Sequence, residues 1–376
     1  MSTVFVGLMS GTSLDGVDAV AADFGPDPAT TSLRVLAHAR CELPAPLRAE
    51  LLALNTPGSD ELHRGALAAN QLVRLYAQAI DGVLSAARLD AGEVRAVGCH
   101  GQTVRHRPGE FDGTGYTVQL DAPALLAELC GVDVVADFRS RDVAAGGQGA
   151  PLVPAFHRAV FARPGESVAV LNLGGIANLS CIDADGATLG FDCGPANALI
   201  DVWCAESTGR AFDAGGCWAA SGRVDARLLD VLAAEPYFDR PAPKSTGRDL
   251  FHRRWLQTAL SAAGADDRLA AEDVQATLAE LTGTTCAAAC RRYCPAASEL
   301  IVCGGGALNA DLLRRLRRLL SPMRVVVSDE RGLPAEQVEA TAFAWLARAF
   351  VHRLPGNVAA ATGAAGPRIL GALYPR

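Results

Sequence analysis

The strongest constraint on the fold is a pattern that occurs twice along the chain. Residues 4–39 contain three short apolar runs, and the loop "MSGTSLDG" separates the first run from the second. Residues 168–191 repeat the pattern, with "LNLGGIAN" at the first turn and an Asp-Gly turn after the second run. Short Val- and Leu-rich runs between Gly-bearing turns predict β-strands. Two three-stranded meanders, each opening one half of the chain, therefore indicate a duplicated architecture.

Both halves continue with strands that alternate with helices. Val73, Tyr76, Ile80 and Val83 recur at helical spacing in a helix that begins near residue 59. Further helices are predicted over 197–208, 271–293, 309–320 and 336–351. This alternation predicts an α/β fold. A chain of 376 residues is too long for one ordinary core, so we expect two domains, 1–165 and 166–376. Residues 355–367 are expected to form a surface loop.

The composition excludes several classes of function. The net charge is −7, which argues against a broad basic face for nucleic acid. The N-terminal apolar run is short and has no basic segment before it, and no stretch approaches the roughly 20 apolar residues of a membrane span. We therefore expect a cytoplasmic protein with neither a nucleic-acid nor a membrane partner.

The 11 cysteines are scattered and are expected to be small buried hydrophobes. Cys286, Cys290 and Cys294 recur every four residues on a predicted helix. No His or CxxC pair accompanies them, so a core-facing role is favoured over a zinc site.

The two glycine turns suit a phosphate chain. An acidic protein can hold phosphate with closely spaced backbone N–H groups, which requires residues without bulky side chains. Thr12, Ser13 and Asn178 would add side-chain donors, and Asp15 and Asp18 would lie near a Mg²⁺ ion that neutralises the phosphates. Either turn alone is explained as a tight hairpin. Their matching positions in the two halves favour phosphate binding.

A third glycine stretch, "VCGGGALN", lies between a predicted strand and a helix. Gly304, Gly305 and Gly306 would let a nucleotide lie against the backbone. The stretch has neither the Walker sequence nor Rossmann spacing. Close packing of the helix on the strand explains it nearly as well.

Asp192 in "GFDCGPANALID" is the sharpest candidate for chemistry. It ends a predicted strand before Gly194 and Pro195 turn the chain into a helix. A general base needs a carboxylate held this firmly. An Asp at such a position is also a common turn former or helix cap. The preceding glycine turn favours catalysis.

Other polar groups also follow predicted strands. His100, Gln102 and Thr103 lie in "CHGQTVRH", and Arg139 and Asp142 lie in the segment that begins "DFRSRD". Such groups suit the hydroxyls and the carboxylate of a sugar, although a structural role is favoured for His100 itself. The loop "PKSTGRDLF", with Lys244 and Thr246, either closes over substrate or is an exposed connection. Glu339 begins the last helix.

These motifs also resemble a known family. "GLMSGTSLDGVD", "GCHGQT", "DFRSRDVAAGGQGAPLVP", "LNLGGIAN", "FDCGPAN", "PKSTGRDLF", "VCGGGALN" and "EATAFAWLA" look like the ordered motif set of the anhydro-N-acetylmuramic acid kinases. The resemblance runs from Gly7 to the C-terminal "GALYP". It implies a duplicated two-domain actin-like ATPase (ribonuclease H-like) fold with an interdomain cleft, and a homodimer.

The resemblance implies an activity as well. Members of that family open 1,6-anhydro-N-acetylmuramic acid with water and transfer the ATP γ-phosphoryl group to O6 for cell-wall recycling. The family's catalytic Asp falls on Asp192, which would activate water, and we assign Glu339 to holding that water or a sugar hydroxyl. His100, Gln102, Thr103, Arg139 and Asp142 would bind the sugar, and Asp15 and Asp18 the Mg²⁺. The predicted ATP-binding residues are Gly11, Thr12, Ser13, Leu14, Asp15, Gly16, Val17, Asp18, Gly174, Gly175, Asn178, Gly304, Gly305, Gly306 and Asn309.

Three alternatives stay open from the residues themselves. Another sugar or carboxylate kinase of the same superfamily would use the same phosphate turns. A nucleotide-dependent binding module of this fold would bind ATP without transferring phosphate to an amino sugar. A plain glycoside hydrolase would require two opposed carboxylates and would leave the phosphate turns unexplained.

Overall fold

The computed structural model describes residues 2–11, 14, 16–28, 30, 32–247, 250–265 and 268–376. The chain forms two compact units, one of residues 1–160 with 337–376 and one of residues 161–336. The break near residue 160 lies close to the predicted boundary at 165. Residues 337–376, however, belong to the first unit, whereas the sequence pattern placed them in the second domain.

The first unit combines a six-stranded sheet, a separate hairpin and helices. Its strands are β1 Val4–Met9, β2 Val17–Asp23, β3 Arg34–Cys41, β4 Val94–Cys99, β5 Gln102–Pro108, β6 Gly115–Leu120, β7 Val134–Ala136 and β13 Ala372–Tyr374. Its helices are α1 Ala45–Ala53, α2 Glu61–Ala87, α3 Pro123–Cys130, α4 Ser140–Ala144, α5 Val153–Phe161 (which ends at the boundary), α12 Val338–Val351 and α13 Ala359–Thr362. The apolar stripe predicted on α2 is buried in the core, which confirms that helix.

The second unit has a five-stranded sheet. Its strands are β8 Val168–Leu173, β9 Ile176–Ile182, β10 Thr188–Pro195, β11 Glu299–Cys303 and β12 Arg324–Val327. Its helices are α6 Asn197–Thr208, α7 Cys217–Ser221, α8 Ala226–Ala233, α9 Arg253–Ala262, α10 Ala271–Tyr293 and α11 Ala310–Leu320. β8 is buried along its whole length, as a central strand covered on both faces must be.

The two sheets have the same strand order and directions. In the first, the order is β3-β2-β1-β4-β7, with β13 added at the edge, and in the second it is β10-β9-β8-β11-β12. The first three strands of each are antiparallel neighbours, and the next two run parallel to the first strand. This repeated 3-2-1-4-5 order confirms the predicted duplicated α/β, actin-like (ribonuclease H-like) architecture.

Glycines on two strands explain why α12 belongs to the first unit. A Cβ on Gly7 of β1 would lie 1.9 Å from the backbone oxygen of Ala340, and one on Gly98 of β4 would lie 2.0 Å from that of Phe343. The helix therefore packs directly on the strand backbones. The helix covers one face of the N-terminal sheet, although it begins more than 230 residues after the end of β4.

Residues 355–367 are not a simple surface loop. They include α13, and the side chains of Asn357 and Thr362 are buried. Both donate hydrogen bonds to Asp142. The expected loop is therefore part of the packing that surrounds this carboxylate.

One pair of cysteines departs from the prediction. Cys181 of β9 and Cys294 at the end of α10 form a disulfide. Cys286 and Cys290 are buried in the core of the second unit, as predicted. Among the residues that the structure describes, no group of three or more His, Cys, Asp or Glu side chains could hold a metal ion.

Candidate functional site

The polar strand ends of the first unit meet at one edge of its sheet. β1, β4 and β7 run parallel, so Ser10, His100 and Asp137, which follow them, lie at their carboxyl ends. This is the edge at which open α/β sheets bind ligands. The sequence prediction that polar groups collect there is consistent with this arrangement.

His100 and Arg139, both predicted to bind sugar, contact each other. Arg139 Nη2 lies 2.8 Å from His100 Nε2, and Nη1 donates to the Gly149 carbonyl at 2.8 Å. Burial, together with the Arg139 charge, holds the pKa of His100 well below its usual range. The Phe343 ring covers the imidazole, with centroids 4.6 Å apart. His100 is therefore neutral and helps to orient Arg139, which fits the structural role favoured from the sequence.

Gln102 and Thr103 also have partners within the first unit. Gln102 Oε1 accepts the Ser10 hydroxyl, and Tyr76 donates its hydroxyl to Ser10 Oγ at 3.2 Å. Thr103 Oγ1 accepts a hydrogen bond from Gln119 at 3.1 Å. This network fixes the side chains that follow β4.

The Asp142 carboxylate is fully buried and hydrogen-bonded. Oδ2 accepts the Gly149 amide at 2.8 Å, and Oδ1 accepts Asn357 Nδ2 at 2.6 Å and the Thr362 hydroxyl at 2.8 Å. The side chain is 0% exposed. Asp142 therefore holds together the loop that carries Gly149 and the segment around α13.

Asp121 is a candidate that the sequence analysis did not select. It follows β6, and its Cβ lies 3.3 Å from the position that a Cβ on Gly101 would occupy, next to His100. Burial and the nearby Asp137 carboxylate raise the pKa of Asp121 to about 7. A carboxyl group perturbed in this way at a sheet edge is a functional candidate. The signal was present in "YTVQLD", where a carboxylate directly follows a strand.

The N-terminal glycine turn is described only in part. Thr12, Ser13 and Asp15 lie outside the described residues. The Leu14 amide donates to the Gly11 carbonyl at 3.2 Å. Gly16 completes the described part of the turn, where a Cβ would lie 2.9 Å from a backbone oxygen of β3.

The side chains that flank this turn have structural contacts. Leu14 and Val17 are buried in the core of the first unit, so only their backbones could face a phosphate. Asp18 lies 2.8 Å from His38 Nε2, on the neighbouring strand β3. The described part of this turn thus offers a Mg²⁺ ion one carboxylate, Asp18, which already has a partner.

Glu339 lies in the first turn of α12 and is half-buried.

The glycine turn of the second unit is hydrogen-bonded to the start of α6. The Gly174 carbonyl accepts the Asn197 amide at 3.0 Å, and the Gly175 carbonyl accepts the amides of Ala196 and Ala198 at 3.0 and 3.1 Å. Asn197 Nδ2 also donates to the Leu173 carbonyl at 3.1 Å. These bonds fix the direction in which the amides of the turn point.

A row of polar side chains crosses the second sheet beside this turn. Asn172, Asn178 and Asp192 are directly opposite one another on β8, β9 and β10. Residues opposite each other on antiparallel strands share a face of the sheet. Among the residues described, Asn178 Oδ1 is buried without a hydrogen-bond partner. Asn172 was not selected from the sequence, although it lies two residues before Gly174 in "LNLGG".

Asp192 is held from three directions. Its Oδ2 accepts the Thr246 amide at 3.0 Å, its amide donates to the Lys244 carbonyl at 3.0 Å, and its carbonyl accepts the Tyr237 hydroxyl at 2.8 Å. The residue is 8% exposed. The structure therefore brings the predicted polar loop to the predicted catalytic carboxylate. Arg248 of that loop lies outside the described residues.

The third glycine stretch packs against the end of β8. A Cβ on Gly304, whose φ is +79°, would lie 2.3 Å from Asn172 Oδ1, and one on Gly306 would lie 2.5 Å from Leu173 Cβ. The packing explanation therefore applies to these two positions. Apart from its chain neighbours, the described atom nearest to a Cβ on Gly305 is Asn197 Nδ2, at 3.9 Å, so the backbone of Gly305 is the most approachable of the three. Asn309 caps α11, accepting the Leu312 amide at 3.0 Å.

Two units with one repeated sheet, each with a glycine turn after its first strand, define the class as a duplicated, actin-like α/β protein. The profile of the anhydro-N-acetylmuramic acid kinase family matches residues 3–376. The chain belongs to that family and is a kinase, a phosphotransferase that uses ATP.

The chain is also similar to individual relatives and solved structures. It is 60% identical to the anhydro-N-acetylmuramic acid kinase of Variovorax paradoxus, covering 99% of both chains. It is 55% identical to that of Albidiferax ferrireducens, covering 100% of both. A dehydratase activator from Clostridium difficile with bound ADPNP aligns at 11% identity and TM-score 0.45, over 93% of this chain and 96% of that one. A ROK family glucokinase from Streptomyces griseus, in complex with glucose and AMPPNP, aligns at 15% identity and TM-score 0.40, over 91% and 98%.

Proposed function

We propose that the protein opens 1,6-anhydro-N-acetylmuramic acid with water and transfers the ATP γ-phosphoryl group to O6, giving N-acetylmuramic acid 6-phosphate and ADP. The observation that carries the proposal is the fixed Asp192 carboxylate, in a row with Asn178 beside the glycine turn of the second unit. Membership of the family supports the sugar substrate.

Asp192 acts as the general base in this proposal. An anhydro sugar has no free 6-hydroxyl, so a group must take a proton from the water that attacks C1 while O6 leaves C1. The Thr246 amide orients the carboxylate and stabilises its charged form, and the Lys244 and Tyr237 bonds hold its backbone. A general base positioned in this way contributes about 10²- to 10⁴-fold to the rate. Glu339 is proposed to hold the water or a sugar hydroxyl.

The backbone amides of the two glycine turns are proposed to bind the phosphates of ATP. The turn at Gly174 and Gly175 supports this because its carbonyls are bonded to α6, so its geometry is set before a ligand arrives. Gly305 and Asn309 would border the nucleoside. Bound Mg²⁺ would neutralise charge on the phosphates. Asp18, together with Asp15, would hold it, directly or through water.

The first unit is proposed to bind the sugar. Arg139 suits the lactyl carboxylate because its guanidinium is oriented by His100 and by the Gly149 carbonyl. Gln102 and Thr103 would contact hydroxyls. Asp142 would contribute to sugar binding indirectly, by holding the loops that it joins. We also propose a cytoplasmic homodimer, on the family resemblance. No helix in the described part of the chain is long and apolar enough to cross a membrane.

A coupled ADP assay tests the function. ADP release is measured with the anhydro sugar, with ring-opened N-acetylmuramic acid and with glucose, in water enriched in ¹⁸O. We expect turnover with the anhydro sugar, with one ¹⁸O at C1 of the product and none at O6. Preincubated product serves as the control for exchange at C1. Turnover with only the ring-opened sugar or glucose would instead support another sugar kinase, and ATP binding without transfer would support a binding module.

A further inference from the structure

A cavity of about 300 Å³ lies in the second unit between β10 and α10. Phe191 and Cys193 of β10 line it. Phe191 directly precedes Asp192 in the part of β10 that pairs regularly with β9, before the bulge that follows Asp192, so its side chain lies on the face opposite the Asp192 side chain. Its volume is at the lower end of the range for small-molecule sites. The cavity is therefore separate from the proposed catalytic face.

Lys244 supplies a buried positive charge to this cavity. It is 8% exposed, and its Nζ donates to the Tyr237 and Phe238 carbonyls at 3.0 and 2.9 Å. Its Nζ also lies 4.6 Å from the Tyr237 ring centroid, and Asp239, which lines the same cavity, is the described carboxylate that attracts its charge. Burial lowers its pKa. A buried cation on a cavity wall favours an anion in that cavity.

The remaining lining determines what kind of anion fits. Phe191 and Tyr293 have ring centroids 4.6 Å apart, and Phe238 adds a third ring. Arg292, which is exposed, places its guanidinium 5.1 Å from the Tyr293 ring centroid. Among the described lining residues, Asp239 is the one carboxylate, whereas Lys244 and Arg292 supply two cations. An aromatic wall with a net positive charge suits a small aromatic carboxylate.

We propose that this cavity is a regulatory site for a small aromatic carboxylate. Its occupant would contact the segment that holds Asp192, because the Lys244 carbonyl and the Tyr237 hydroxyl both bond to the Asp192 backbone. Binding would therefore alter the position of the catalytic carboxylate. Only this effect on turnover rests on the proposed function, since binding itself does not require the kinase reaction.

The binding test uses the full chain and ¹⁹F NMR. The probe is 4-fluorobenzoate, and the neutral 4-fluorobenzamide is the control compound. We expect saturable binding of 4-fluorobenzoate and roughly tenfold weaker binding of the amide, a difference of about 1.4 kcal/mol, since the neutral amide cannot form a charge-assisted hydrogen bond with a cation. Arg292→Gln should weaken benzoate binding roughly tenfold, whereas Arg291→Gln, one residue earlier and outside the cavity lining, should not. Absence of saturable benzoate binding to the folded wild-type protein would overturn the proposal.

A cavity-filling variant keeps the test independent of charge. Ala289→Trp fills the cavity from α10, and Ala296→Trp places the same side chain on an exposed position outside it. We expect the first to abolish 4-fluorobenzoate binding and the second to leave it unchanged, with folding checked by thermal unfolding. Binding that survives in a folded Ala289→Trp protein would locate the probe elsewhere and overturn the assignment. In the ADP assay, the probe should change kcat in the wild type but not in Ala289→Trp.

Discussion

The Thr246 amide donates to Oδ2 of Asp192 at 3.0 Å, so the loop that contains Thr246 sets the orientation of the proposed base. An Asn side chain at position 192 can still accept this hydrogen bond through its Oδ1. The fold should therefore survive the loss of charge, while proton abstraction should not.

Asp192→Asn should lower kcat about 10²- to 10⁴-fold and leave ATP affinity nearly unchanged. The matched control is Asp185→Asn, at an exposed turn where the side chain accepts the Ala187 amide at 2.9 Å. The ADP assay and a nucleotide titration measure the two effects. Near-normal turnover of Asp192→Asn would remove this residue from the role of base.

Asp142→Ala should destabilise the protein by about 3–5 kcal/mol, because it leaves the Gly149 amide, Asn357 and Thr362 as buried donors without their acceptor. The control is Asp112→Ala, which removes an exposed carboxylate that also accepts two backbone amides. Urea unfolding compares the two variants. A folded Asp142→Ala protein with normal stability and a raised KM for sugar alone would show that Asp142 binds substrate directly.

Gly7→Ala should displace α12 from β1, because the new Cβ would lie 1.9 Å from the Ala340 backbone oxygen. Overpacking of this kind costs about 1–3 kcal/mol. Glu339 is one residue from Ala340, so activity should fall as well. Gly92→Ala is the control, since its Cβ would meet no atom within 4 Å. Equal unfolding midpoints for the two variants would contradict the direct packing of the helix on the strand.

The repeated meander was the part of the fold that the sequence predicted best, because its strands are adjacent along the chain and their turns carry glycine. The long helices followed from apolar spacing, as on α2 with Tyr76 and Ile80. The return of α12 to the first sheet was missed, since the contact of Ala340 with Gly7 joins positions that no local pattern connects. Its local signs in the sequence were the glycines inside two strands, Gly7 of β1 and Gly98 of β4.

The candidate site was predictable to a similar extent. The sequence predicted His100, Arg139 and Asp192 as candidates because each lies at or just after the end of an apolar run, where open α/β sheets bind ligands. The burial of Asp142 depends on partners from the C-terminal segment, as the disulfide depends on two cysteines 113 residues apart. The charge state of Asp121 depends on its surroundings, which periodicity does not reveal.

Asp121 should make stability depend on pH. Its pKa is raised from 3.8 to about 7, so the folded protein keeps the proton across a range in which the unfolded chain has released it. The free energy of unfolding should therefore fall as pH rises from about 4 to about 7 and then level off. Asp121→Asn removes this dependence, and between pH 5 and pH 8 it should gain about 2.5 kcal/mol relative to the wild type.

Urea unfolding at pH 5 and pH 8 measures that difference. Asp137→Asn is the informative second variant, because the Asp137 carboxylate contributes to the raised pKa of Asp121 and its removal should shift the transition to lower pH. Asp112→Asn, on an exposed turn, should change nothing across this range. If the stability difference between Asp121→Asn and the wild type were the same at both pH values, the pKa of Asp121 would not lie between them, which would contradict the raised value of about 7.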